Sequence, residues 1–299
     1  MDGILIIDKP EGLTSHDVVA RVRRALHIKR VGHTGTLDPF ATGVLVLLIG
    51  KATRLAQFLD KDEKEYEAVI QFGFETDTGD KTGMRTAECG LRNEEIAERL
   101  DTTDWEKVLS EFRGEIEQVP PMYSAKKQAG KKLYELARQG KKVERKPIKL
   151  FIKEIELLDN EEIRNPNSQI RIRTVCSAGT YIRTLAEDIG RHLGIGAHVT
   201  ELRRTRAGEF GLSQSFELDK LDASTLKLLP IEEAVSHLPE FVLNDDRVEK
   251  TRNGLSTKSD AGSFETGQPI RMVDNSKRVI AIGYLQPDEI SLMPKIVVA

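Results

Sequence analysis

The chain has 299 residues, of which 39% are hydrophobic and 31% are charged, as is usual for a globular protein in water. No apolar run approaches the ~20 residues that cross a bilayer, and no secretory signal is visible, so we expect a cytoplasmic protein without membrane contact. Because the two cysteines are far apart and the six histidines form no zinc-like pairs, no disulfide, metal site or cofactor is predicted.

The net charge of −3 argues weakly against nucleic acid binding, but the charge is unevenly spread. Residues 126–149 contain ten Lys or Arg and two acids, a local charge of +8. Residues 60–118 contain eighteen acids and eight bases, a local charge of −10. A chain polarised in this way can offer a basic face to phosphates while its average stays acidic.

The N-terminal residues predict a buried strand followed by a helix. The strand covers Gly3 to Ile7 and is interrupted by Asp8-Lys9-Pro10. Thr14 and Asp17 resemble a capping box, and the apolar residues after them follow helical spacing. We therefore expect a helix that packs one apolar face against the strand.

The stretch Gly32 to Gly43 predicts a shaped loop between this helix and the apolar run Val44 to Ile49. Its glycines permit unusual dihedral angles, and Pro39 biases Asp38 towards an extended conformation, so the backbone sets the direction of the carboxylate. On spacing alone, an Asp-Pro pair favours a turn over a chemical role for Asp38.

The middle of the chain predicts further strands and helices around a basic segment. Lys64 to Phe74 alternates as a half-buried strand, and helices are expected over Asn93–Leu100 and Asp104–Phe112. The segment 120–149 reads as a solvated loop or as an RNA-binding surface, and its excess charge with interleaved Tyr123 and Tyr134 favours RNA.

In the second half of the chain, the residue pattern predicts two strands, a helix and another strand, followed by a β domain. The strands are Ile148–Leu158 and Gln169–Cys176, joined by a loop over 160–168, and the helix has Thr180 as N-cap and ends at Gly194. A strand over His198–Arg206 carries Arg203, Arg204 and Arg206 as further candidate phosphate contacts. From residue 238 on, short strands between Gly and Asn turns predict a compact β domain.

Four segments, in order, resemble motifs of the TruB family of tRNA pseudouridine synthases. They are Lys9-Pro10, the string GHTGTLDPFATGVL over residues 32–45, Lys64-Glu65-Tyr66, and Tyr181 with Arg183 followed by Leu202. The resemblance implies an α+β fold, with a mixed, largely antiparallel sheet flanked by helices and a small C-terminal all-β module similar to PUA domains. It implies a catalytic domain over 1–237, with the basic insertion at 120–149, and an RNA-binding domain over 238–299.

The resemblance also implies a role for each motif residue. Asp38 is the expected nucleophile, Arg183 its ion-pair partner, which we expect to lower the pKa of the aspartate, and Tyr66 the acceptor of the uracil C5 proton. The remaining implied roles are substrate binding by His33, Tyr181 and Leu202, support of the site by Lys9, Pro10 and Gly35, and contact with the RNA backbone by Lys126, Lys127, Lys131, Lys132 and Arg138.

The function that the resemblance implies is isomerisation of uridine 55 in the T loop of tRNA, by a monomer that needs no cofactor, metal or guide RNA. Three alternatives remain open from the residues: a glycoside hydrolase, a non-catalytic RNA-binding protein, and a guide-RNA-dependent relative. A hydrolase is disfavoured because the loop supplies one carboxylate where that chemistry needs two. A tRNA-folding chaperone activity can coexist with catalysis.

Overall fold

The computed structural model describes residues 1–60, 62–128, 130–141, 143–158, 168–221, 226–260, 262–288 and 290–298, and for Lys127 and Lys132 the backbone alone. The loop predicted over 160–168 lies outside these residues except for Ser168. The helices are α1 Ser15–Leu26, α2 Ala56–Leu59, α3 Asn93–Asp101, α4 Trp105–Ser110, α5 Leu133–Arg138, α6 Ile182–His192 and α7 Asp245–Arg252.

The strands of the first half are β1 Gly3–Lys9, β2 Val31–Thr34, β3 Thr42–Ile49, β4 Lys64–Phe72, β5 Phe74–Thr76, β6 Arg85–Glu88, β7 Gly114–Gln118, β8 Lys127–Gln128 and β9 Lys131–Lys132. Those of the second half are β10 Ile148–Leu157, β11 Gln169–Cys176, β12 Ala197–Ala207, β13 Phe210–Gly211, β14 Phe216–Glu217, β15 Glu240–Val242, β16 Thr257–Lys258, β17 Pro269–Val273, β18 Val279–Leu285 and β19 Ser291–Val297. Short 3-10 helices cover Gly50–Leu55, Leu212–Gln214, Leu218–Lys220 and Ile231–Val235.

A large mixed sheet organises the first 217 residues. Its strand order is β14-β1-β3-β12-β4-β11-β10-β7, with β2 paired to β3 and β13 paired to β12. The pairs β1–β14 and β3–β12 are parallel and the others are antiparallel. The predicted α+β class with a largely antiparallel sheet is confirmed.

One face of this sheet is covered by α1, α3, α4 and α6, whose apolar residues form a single core with those of the strands. In β4, the alternating residues Tyr66, Ala68, Ile70 and Phe72 point into this core, as their spacing predicts. β1 and β3 are apolar on both faces because a second set of side chains, which includes Ile4, packs on the opposite side.

The C-terminal strands form a separate sheet in the order β15-β17-β18-β19-β16. Val273, Val279 and Ile282 of this sheet share an apolar cluster with Ile4 and Leu48 of the large sheet. Burial of these side chains holds the second sheet against the first. No helix in the described ranges is long and apolar enough to cross a membrane.

Three local predictions need correction. The helix predicted to have Thr180 as N-cap starts at Ile182 after Tyr181, because the Thr180 hydroxyl donates to Ser177 O at 2.9 Å instead. The strand predicted to reach Phe74 breaks at Gly73, where φ is +111°. Helix α7 was not predicted, because its charged sequence has no apolar stripe.

Candidate active site

The loop of Asp38 joins β2 to β3 and is fixed from several sides. Ser15 in the first turn of α1 accepts a hydrogen bond from Leu37 N at 2.9 Å and donates to Leu37 O at 3.2 Å. Arg204 Nη2 on β12 donates to Gly35 O at 2.9 Å. Gly35 itself has φ of +65°, a conformation that glycine adopts without strain. The backbone around the carboxylate is therefore held by groups from distant parts of the chain.

The carboxylate of Asp38 forms an ion pair with Arg183. Arg183 Nε lies 2.9 Å from Asp38 Oδ2, and the arginine side chain is 4% exposed whereas that of Asp38 is 33% exposed. Arg183 Nη2 also donates to Tyr123 O at 2.7 Å, and Nη1 donates to Thr78 O. Because the arginine is anchored on both sides, it presents a fixed positive charge to an aspartate that solvent can still reach.

The net effect on the pKa of Asp38 differs from the prediction. Burial raises the pKa of the Asp38 carboxyl above its ordinary value, and the charge of Arg183 opposes this rise without outweighing it. Asp80 contributes to the rise as a second carboxylate near the same arginine. The expected lowering of the pKa was wrong because sequence spacing does not reveal the cost of removing the carboxylate from water.

Around the ion pair, the structure brings together most residues that the motifs predict. A pocket of about 240 Å³ is lined by Asp38, Tyr66, Tyr181, Arg183 and Leu202. Tyr66 and Leu202 lie on the neighbouring strands β4 and β12, whose register pairs Leu202 with Ala68. This register places an aromatic ring and an apolar side chain beside the charged pair.

Of the residues expected to support the site, Gly35 lines the pocket, whereas Lys9 and Pro10 do not. Lys9 is fully buried, and its Nζ donates to Pro10 O at 2.8 Å, Leu13 O at 2.7 Å and Pro39 O at 3.2 Å. Burial lowers the pKa of Lys9 to about 8. The lysine thus ties the segment after β1 to the loop of Asp38.

His33 does not line the pocket. It lies on β2, where its ring meets that of His16 edge to face, with the ring centres 5.8 Å apart. The structure therefore leaves the predicted contact of His33 with substrate as a prediction.

Two groups, Asp80 behind Arg183 and Arg204 in the pocket lining, were not foreseen in these roles. Asp80 is buried, accepts hydrogen bonds from the hydroxyls of Thr78 at 2.9 Å and Thr82 at 2.6 Å, and lies 3.6 Å from Arg183 Nη1. Arg204, predicted as a phosphate contact, is 1% exposed and cannot reach an RNA backbone. The local sequence around Asp80 does not indicate this role, because its contact with Arg183 of α6 is not local in sequence.

The basic insertion begins at the rim of this pocket, which Ser124 and Ala125 also line. Lys126, Lys131 and Arg138 are exposed, whereas the side chains of Lys127 and Lys132 lie outside the described part of the chain. Exposed cations beside an active-site mouth suit the phosphates of a bound nucleic acid. Among the described residues, no group of three or more His, Cys, Asp or Glu side chains is arranged to hold a metal ion.

The carboxylate–guanidinium pair, the neighbouring tyrosine and the large mixed sheet agree with the pseudouridine synthase class that the sequence motifs predict. The family model described as TruB family pseudouridylate synthase (N terminal domain) matches residues 23–182, and that described as tRNA pseudouridylate synthase B C-terminal domain matches residues 183–239. The chain belongs to the TruB family of pseudouridylate synthases.

Curated relatives and solved structures agree with this assignment. The tRNA pseudouridine synthase B of Bacillus subtilis is 40% identical over 301 residues, which cover 98% of this chain and 96% of the relative. The enzyme of the same name from Symbiobacterium thermophilum is 46% identical over 256 residues, 86% of this chain and 83% of the relative. Among solved structures, a Cbf5-Nop10-Gar1 complex contains a chain that is 28% identical, with a TM-score of 0.72 and coverage of 99% of this chain and 85% of that one.

Proposed function

We propose that this protein converts uridine 55 in the T loop of tRNA to pseudouridine, without a guide RNA. The observation that carries the proposal is the 2.9 Å ion pair between Asp38 and Arg183 inside a pocket that Tyr66 and Leu202 also line. Relatives named tRNA pseudouridine synthase B, at 40% identity or more over most of the chain, support tRNA as the substrate.

Asp38 supplies the group that acts on the ribose. The reaction breaks the bond between N1 of uracil and C1′, with the electron pair leaving on the uracil ring. Asp38 either bonds to C1′ as a nucleophile or removes a ribose proton to form a glycal. Both routes need the ionised carboxylate, and the charge of Arg183 favours that form against the effect of burial.

Tyr66 and Leu202 hold the uracil base during the reaction. A uridine must leave its stack to reach Asp38, at a cost of a few kcal/mol. The pocket offers an aromatic ring from β4 and an apolar side chain from β12, between which a detached uracil can turn. Once C5 has bonded to C1′, Tyr66 accepts the proton that C5 must lose.

The remaining RNA contacts come from two places. Lys126 follows the rim residue Ala125, and Lys131 and Arg138 are exposed in the same insertion. We assign phosphate contacts to these three residues and to Lys127 and Lys132. We assign residues 1–237 to catalysis and residues 238–299, which contain the second sheet, to an RNA-binding module. Binding of the T arm by both parts places uridine 55 at the pocket.

The test is to map pseudouridine after the purified protein alone has acted on an unmodified tRNA transcript. We expect one pseudouridine, at position 55, and none in a matched transcript with cytidine at that position. Modification that appears only after a guide RNA is added contradicts the proposal. Binding of the transcript without any pseudouridine indicates a non-catalytic RNA-binding protein.

A further inference from the structure

Arg204 lies between the strand that carries Tyr66 and the strand that follows the loop of Asp38. On β12 it is paired directly with Tyr66 of β4 on one side and with Gly43 of β3 on the other. β3 follows the loop of Asp38, so one buried residue lies between the strand of the tyrosine and the strand that continues from the nucleophile. Gly43, with φ of +100°, permits this approach, because a Cβ there would lie 2.2 Å from Arg204 O.

Within the part of the chain that the structure describes, no carboxylate neutralises the charge of Arg204. Its Nε donates to Val44 O at 2.7 Å and its Nη2 to Gly35 O at 2.9 Å, both neutral acceptors. Among the described residues, Arg204 forms no ion pair, in contrast to Arg183 with its two aspartates. Burial of a guanidinium without a counter-ion costs free energy, which suggests that Arg204 has a function in the pocket.

The hydroxyl of Tyr66 is the acidic group beside this guanidinium. Burial raises the pKa of the Tyr66 hydroxyl, and Arg204 opposes the rise through its charge and through hydrogen bonding. Both side chains line the pocket that contains Asp38. If Tyr66 acquires negative charge, Arg204 gains the counter-ion that it otherwise lacks.

We propose that Arg204 is the positioning residue for Tyr66: it orients the phenol oxygen towards the uracil and stabilises the phenolate that takes the proton from C5. This inference rests on the proposed function. The Tyr66 hydroxyl first releases its proton to solvent. When C5 has bonded to C1′, the phenolate takes the C5 proton, the electron pair of the C–H bond forms the C5–C6 double bond, and the C6–N1 double bond opens onto N1, which gains a proton from solvent.

The experiment measures single-turnover rates on T-arm RNA carrying hydrogen or deuterium at C5 of the target uridine. The variants are Arg204→Lys, which keeps the charge but loses the planar fork, Tyr66→Phe and the double variant. We expect Arg204→Lys to slow turnover about tenfold or more and to reveal a C5 isotope effect absent in wild type, because proton removal becomes limiting. In the Tyr66→Phe background, Arg204→Lys should add little, because Arg204 acts through the tyrosine.

The matched control is Arg173→Lys, whose guanidinium binds Glu65 and Glu154 and does not line the pocket. It should leave both rate and isotope effect unchanged. Equal slowing of both isotopologues by Arg204→Lys, or full additivity with Tyr66→Phe, overturns the inference. If Arg204→Lys does not fold, Arg204→Gln takes its place in the same comparison, and the same outcomes support or overturn the inference. Failure of wild type to modify RNA would instead refute the proposed function.

Discussion

Replacement of Arg183 by methionine tests the electrostatic organisation of the pocket. The arginine is 4% exposed and neutralises Asp38 at 2.9 Å and Asp80 at 3.6 Å. In Arg183→Met, the carboxylates of Asp38 and Asp80 both lose their cation. Because breaking a buried pair leaves uncompensated charge, we expect a loss of about 3–5 kcal/mol in the free energy of unfolding at pH 8.

The loss should depend on pH in a defined direction. Without Arg183, nothing opposes the burial that already raises the pKa of Asp38, so its pKa in the folded protein rises further above the unfolded value. A raised folded pKa means that the folded state binds more protons, so stability of the variant recovers as pH falls from 8 to 5. Urea unfolding at both pH values measures this difference, and wild type provides the reference.

Arg191→Met is the matched control on the same helix. Its side chain is 55% exposed and pairs with Glu75 at the surface, so its loss should change stability by no more than about 1 kcal/mol at either pH. A loss below 1 kcal/mol for Arg183→Met, or one that is the same at pH 5 and pH 8, would refute the assignment of Arg183 as the buried counter-ion.

Three further predictions concern the backbone, a buried lysine and RNA binding. Gly43→Ala should destabilise the fold by roughly 2–5 kcal/mol, because its Cβ would clash with Arg204 O at positive φ; thermal melting measures this. Burial lowers the pKa of Lys64 to about 8, so between pH 8 and 10.5 the unfolded chain binds more protons than the folded protein. Over this range, the free energy of unfolding of wild type, relative to that of Lys64→Met, should rise by up to about 3 kcal/mol, as measured by urea titration. Lys126→Ala should weaken T-arm binding and reduce the slope of log affinity against log salt by about 1.

Each of these predictions has a matched control. Gly254→Ala has a similar φ of +82° but no atom within 4 Å of the new Cβ, so only the backbone strain remains. Lys153→Met removes a half-exposed lysine and should keep the rise in stability above pH 8 that Lys64→Met loses. Lys107→Ala, in the acidic part of the chain, should leave the salt slope unchanged. Equal effects in a variant and its control would contradict the corresponding prediction.

Most of the large sheet was predictable because its strands show either alternating apolar and polar residues or continuous apolar runs. β4 shows period-two burial, and β3 is apolar on both faces because it is covered on both sides. Helix α7 was not predicted because its residues are nearly all charged or polar. Its contacts with the second sheet stabilise it. Periodicity carries no information about a helix that buries almost nothing.

The site was predictable where a motif names the residue and not where contacts are long-range. Asp38, Tyr66 and Arg183 were identified through their motifs, and the structure gathers them in one pocket. The role of Arg204 depends on the register of β12 with β4 and β3, and that of Asp80 on a loop folded against α6. Neither the register of distant strands nor the burial of a charged side chain can be read from local spacing, which is also why the direction of the pKa shift of Asp38 was wrong.

The most direct test is tritium release from tRNA labelled at C5 of uracil, with wild type compared with Asp38→Asn. Asp219→Asn, which removes a carboxylate whose side chain is 83% exposed, is the matched control. We predict release by wild type and by Asp219→Asn, and none by Asp38→Asn although it still binds the T arm. Release by Asp38→Asn at the wild-type rate would contradict the assignment of Asp38 as the catalytic carboxylate.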